Sequence, residues 1–174
     1  MDMLAAVREA GLPDSLTGGG VISMLVWDRL HGERGHTRLR DGDVAFFDPE
    51  DLSADRDRRA TAALRFLRPA VPWQVKNRTA VHLWYGRRFG FPVEPFLFGA
   101  DGIATWPETA ISIAIRLEAD GALSRSSPLR AWGPPGHVLA SQSPRGDRSQ
   151  VRVRETAPPQ SIPEIWPKVR VIRT

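Results

Sequence analysis

The sequence predicts an α+β domain, and three observations carry that expectation. Stretches with apolar residues at helical spacing alternate with short β-forming runs along the first two-thirds of the chain. Its 174 residues suit one domain of ordinary size. Leu, Ile, Val and Phe contribute 15, 8, 13 and 7 residues, above the aliphatic poverty of disordered chains and enough for a packed core.

Residues 2–10 read as a short helix stopped by Gly11 and Pro13. Thr17-Gly18-Gly19-Gly20 reads as a break. Val21 to Leu30 follows as a helix whose stripe is Ile22, Leu25, Val26 and Leu30. After a polar loop to Arg40, Asp41 to Asp48 reads as a strand, with Val44, Phe46 and Phe47 as β-formers and Asp48-Pro49 as its exit. Ser53 is placed to cap a helix over Ala54–Leu67, which Pro69 and Pro72 stop. Trp73–Asn77 and Ile111–Leu117 read as further strands, the latter ending in the turn signal Ala119-Asp120-Gly121. No internal repeat is present.

The division expected is a domain over 1–120, a low-order segment over 121–161, and a return to the domain over 162–174. Residues 121–161 hold 7 Ser, 6 Pro and 4 Gly without periodicity, which is loop composition. Order returns near Trp166, Val169 and Val171. Residues 126–160 admit two readings, a genuine loop or a stretch translated out of frame.

Several function classes fall away. Zero Cys excludes a disulfide framework, a thiolate nucleophile and a Cys-ligated zinc. Apolar runs are too short for a membrane helix, and Met1-Asp2-Met3-Leu4 lacks signal-peptide character, so a soluble cytoplasmic protein without a membrane partner is expected. The pI near 10.5 belongs to the C-terminal third, where 121–161 carry 6 Arg against Asp147 and Glu155. Without interleaved aromatics, that segment suggests weak, salt-sensitive nucleic-acid binding at most.

Two spacings carry chemistry. In Asp41-Gly42-Asp43, residues two apart on a strand share a face, so both carboxylates can converge on one divalent cation. Their oxygens and an open coordination sphere suit Mg²⁺. A solvated strand end is the bland alternative. Gly19-Gly20 before a helix lets phosphate approach backbone N–H groups where the helix dipole favours negative charge, with an ordinary flexible turn as the alternative.

Taken in order, Trp27-Asp28-Arg29-Leu30-His31-Gly32, the run Asp43 to Ser53, Val75-Lys76-Asn77, His82-Leu83-Trp84 and Trp106-Pro107-Glu108-Thr109-Ala110 closely resemble a bacterial nucleotidyltransferase-like family. That family is assigned to the DNA polymerase beta superfamily of nucleotidyltransferases. The resemblance spans roughly residues 15 to 118 and resumes at Trp166-Pro167. It implies a mixed β-sheet flanked by helices, and Mg²⁺-dependent transfer of a nucleotidyl group from a nucleoside triphosphate to an acceptor the residues leave unspecified. Gly19 and Gly20 would contact triphosphate, Asp41 and Asp43 would bind metal, and Lys76 is a candidate for phosphate.

The chain departs from the family pattern twice. Where the pattern puts an acidic residue that completes the metal site and helps activate the acceptor, this chain has Gln74. A neutral amide cannot act as that base. Where the pattern carries Arg-Asn in the first helix, this chain has Ser23-Met24. Both departures open a second reading, a catalytically silent nucleotide-binding or regulatory domain. Lesser candidates are His31 and His82 as bases, with His31 better suited as a partner of its helix dipole. Trp84 and Trp106 are candidates for base stacking, and Glu108 for a substitute carboxylate.

Overall fold

In every extended strand of this chain, successive side chains leave on opposite faces, and the computed structural model shows what each face meets. It describes residues 2–32, 39–90, 92–104, 106, 112–126, 138–140, 166–167 and 170–172. The elements run α1 (Asp2–Glu9), β1 (Leu16–Gly18), α2 (Gly20–Leu30), β2 (Gly42–Phe46), α3 (Ala54–Leu67), β3 (Trp73–Asn77), a 3₁₀ turn (Arg78–Ala80), α4 (Val81–Phe89), α5 (Gly99–Ala104), β4 (Ala114–Leu117), β5 (Leu123–Ser126), β6 (Val138–Ala140) and β7 (Arg170–Ile172). Five strands form a mixed sheet in the order β3-β2-β1-β4-β5, with β2 and β3 parallel and the other neighbours antiparallel. β6 and β7 form a separate parallel pair. The fold is α+β, a mixed sheet with helices, as the sequence leads one to expect. No described helix is long and apolar enough to cross a membrane.

One sheet face carries Val44, Phe46, Trp73 and Val75 against Ala6 and Val7 of α1, Leu12, and Ala60 and Leu64 of α3. Phe46 and Leu64 are fully buried, each worth about 1.5–3 kcal/mol in removed apolar surface. The other face carries Leu16, Ala45 and Ala114 against Ile103 of α5, with Trp106 beside them.

β2 and β3 are parallel, so a crossover must join them, and α3 is that crossover. Ser53 caps α3, its Oγ accepting the Arg56 N–H at 3.3 Å. Both exits of the unit are stitched by the buried Asn77 side chain. Its Oδ1 accepts the Asp48 and Thr79 N–H groups at 3.1 Å each, and its Nδ2 donates to the Asp48 and Asp51 carbonyls at 2.8 and 3.0 Å. The Asn77 N–H donates to Asp57 of α3 at 2.7 Å.

The structure differs from the sequence expectation in identifiable places. Leu16–Gly18, which overlaps the expected break at Thr17 and Gly18, is the central strand, because pairing on both sides compensates for three residues too few to show a period. Neither α4 nor α5 was anticipated. Beyond Gly121, where no strand was expected, the chain turns back and β5 pairs with β4. Val138–Ala140 pairs with Arg170–Ile172, while Ile111 and the rest of the 127–165 stretch lie outside the described residues. The indole of Trp166 is buried against Trp27, ring centroids 5.0 Å apart, and its Nε1 donates to the buried Asp28 carboxylate at 2.8 Å.

Asn77→Ala strips four hydrogen bonds from a buried junction. It should lower stability by about 2–3 kcal/mol, read as a reduced urea midpoint at unchanged m-value.

Candidate active site

β1 ends at Gly18, whose register partner across the ladder is Asp43 of β2. The chain must then turn sharply to begin α2 at Gly20 and does so through Gly19, at φ 72 and ψ −147. That turn lies directly on the two aspartates. A Cβ on Gly19 would collide with Oδ2 of Asp43, and one on Gly20 would sit 3.3 Å from Oδ1 of Asp41. The Gly-Gly pair and the Asp-x-Asp pair, separated in sequence by the whole of α2 and its following loop, are one structural feature. Glycine is required at position 19 twice over, by the left-handed φ and by the carboxylate. Ser23, in place of the expected arginine, is buried, and its hydroxyl donates back to the Gly19 carbonyl at 3.5 Å.

Stripping water from Asp43 disfavours its charge, and the neighbouring Asp41 repels it. Together these push its carboxyl up to about 6, while the charge of Arg78 pulls the other way. Arg78 is the site residue that sequence reasoning missed. Its guanidinium stacks over Trp106, 5.2 Å from the ring centroid. Burial lowers its pKa and the charges of Asp43 and Asp57 raise it.

Gln74 is the register partner of Asp43 on the parallel neighbour β3, and its side chain is exposed. The position where the family resemblance leads one to expect an acidic residue therefore borders Asp43 and holds a neutral amide. Lys76, two residues on, is exposed and ion-paired to Asp57 at 3.1 Å. His31 sits at the end of α2 with Nδ1 against the Trp27 carbonyl at 2.8 Å. Nδ1 of His82 is buried without a hydrogen-bond partner, Trp84 is partly exposed on α4, and Trp106 lies under Arg78. Glu108 lies outside the described residues.

Two hard carboxylates beside a backbone turn with no Cβ in the way fit a divalent cation that keeps open positions for phosphate oxygens. Among the described residues no cluster of three or more His, Asp or Glu side chains is placed to hold a metal. Asp41 and Asp43 are the described carboxylates that would hold it.

A family model described as Nucleotidyltransferase matches residues 5–171. The chain belongs to this nucleotidyltransferase family. Among solved structures, this chain is similar to an NMR structure described as a CCA-adding enzyme head domain, with TM-score 0.76 and 20% identity over 99% of this chain and 88% of that one. At that identity the likeness concerns the fold. A search of the curated proteins found no match.

Asp43 makes a pH-dependent demand on the metal-free protein. The folded carboxyl holds its proton up to a pH of about 6, whereas the unfolded one releases it near 3.8. Stability contributed by the protonated form is therefore lost as pH rises between those values, by roughly 3 kcal/mol in all. In chelator, Asp43→Asn should melt above the wild type at pH 7.5, and that difference should vanish at about pH 4. A wild type as stable as the variant at pH 7.5 would contradict the burial argument.

Proposed function

We propose that this nucleotidyltransferase moves a nucleotidyl group from a nucleoside triphosphate to an acceptor hydroxyl, with Mg²⁺ held by Asp41 and Asp43. The observation that carries the reading is the packing of the Gly19–Gly20 turn on that aspartate pair. It sets two cation ligands beside the start of α2, where backbone N–H groups and the helix dipole favour phosphate. The repulsion that raises Asp43 is the imbalance a cation relieves. Such an ion, held by Asp41 and Asp43, would supply positive charge against the triphosphate and the leaving pyrophosphate. We place the chemistry with that of the DNA polymerase beta superfamily.

In the transfer, the acceptor oxygen forms a bond to the α-phosphorus as the bond to pyrophosphate breaks, and the acceptor hydroxyl loses its proton to solvent water. Asp41 and Asp43 neutralise and position. Gln74 borders Asp43 but can accept no proton at neutral pH. That single residue favours the second reading, a silent nucleotide-binding or regulatory domain.

Mg²⁺ with a nucleoside triphosphate should raise the melting temperature of the wild type by mass action, and Asp41→Ala/Asp43→Ala should abolish the rise. Calorimetry showing equal binding by both proteins would remove the site assignment. A general base contributes about 10²–10⁴-fold. Gln74→Glu should therefore increase pyrophosphate release with a competent acceptor, while Gln74→Ala leaves it low. Release by Gln74→Glu no faster than by the wild type would show that position 74 does not limit the reaction.

A further inference from the structure

We propose that Arg78 is a polyphosphate-binding residue, its guanidinium donating to a phosphate oxygen of the nucleotide. This deepens the nucleotidyl-transfer reading and rests on it. The first observation is that Nε of Arg78 is buried with no hydrogen-bond partner, a state that is costly unless a ligand supplies the acceptor. The second is that Arg78 forms no ion pair with any described carboxylate, while its side chain keeps partial exposure. Its donors are held in place but not consumed.

The holding is built into three elements. Asn77 fixes the 3₁₀ turn on which Arg78 is the first residue. Trp106 lies under the guanidinium, its ring centroid 5.2 Å from Cζ. The aliphatic stem lies in a notch on α5, where Gly102 is the only residue type that fits. A Cβ there would stand 2.6, 2.8 and 2.9 Å from Cγ, Cβ and Cδ of Arg78. A planar fork fixed in this way suits the paired oxygens of a phosphate.

The two positions that the sequence offers for a phosphate-binding cation do not supply one. Lys76 is exposed and already paired with Asp57. Position 23, where the family resemblance expects arginine, holds a serine bonded back to Gly19. Arg78 acts on Asp43 from the end of β3 instead, its charge opposing the rise of that carboxyl. It would bind the polyphosphate chain while Asp41 and Asp43 hold the cation.

The alternative is that Arg78 only offsets the charge of Asp43. Calorimetric titrations with tripolyphosphate in excess Mg²⁺, and with Mn²⁺ alone, separate the two. Arg78→Gln should weaken tripolyphosphate binding roughly 10- to 100-fold and leave Mn²⁺ binding unchanged or tighter, since a positive charge beside Asp43 has gone. Arg78→Lys should also bind tripolyphosphate more weakly than the wild type, because it keeps the charge but loses the fork and the stack. Wild-type tripolyphosphate affinity in both variants would overturn the role of Arg78 and leave the site reading standing. Parallel loss of Mn²⁺ and tripolyphosphate in Arg78→Gln, with wild-type affinity in Arg78→Lys, would show a structural role and overturn it equally. If the wild type itself binds no tripolyphosphate with Mg²⁺, the nucleotide reading fails and the inference fails with it.

Discussion

Asp43 gives up most of its hydration where the start of α2 crosses β2, and it does so next to a second carboxylate. Neither condition is favourable in a chain without a bound cation, and the surrounding structure is arranged around both. β1 stops at Gly18 so that the turn can follow at once. Gly19 supplies a backbone without a Cβ at the point of contact. Parallel pairing places Gln74, and not another anion, beside Asp43, and the charge of Arg78 offsets part of the repulsion. Were position 74 acidic, a third negative group would join a pair already under strain, and occupancy by a cation would matter more to the folded state.

The parts of this architecture that were legible in the sequence have boundaries written in local chemistry. α3 and β3 lie on the expected residues, because a serine cap opens the helix and prolines separate it from the strand. The parts that were hidden depend on partners elsewhere in the chain. Three residues with two neighbours make β1, and no window of that length shows a period. α5 has six residues, two of them glycine, one needed as the notch for Arg78. Along α4, Leu83 and Trp84 are exposed, which blurs the apolar stripe that would have announced it.

The site was legible to a similar degree. Strand parity expects Asp41 and Asp43 to converge, and in the fold Gly19 and Gly20 lie against Asp43 and Asp41 respectively. Arg78 went unnoticed because arginine supplies almost all of the 24 basic side chains, so one more carries no signal. Its position immediately after a strand-ending Asn that caps the next turn was the available clue. Lys76 drew attention for the opposite reason, its rarity. β3 is an edge strand, and Lys76 on it pairs with Asp57 of α3.

The Trp166 indole on Asp28 closes a contact 138 residues apart in the chain. During synthesis a chain grows from its N-terminus at about 5–20 residues per second, so the sheet and its two apolar faces can assemble well before Trp166 leaves the ribosome. Until then Trp27 lacks its aromatic neighbour and Asp28 lacks this donor, on the helix whose first residues line the aspartate pair. The nascent domain can therefore acquire its core early and its fully packed α2 late. Premature termination anywhere between β5 and Trp166 would leave the five-stranded sheet complete and α2 without its indole clamp.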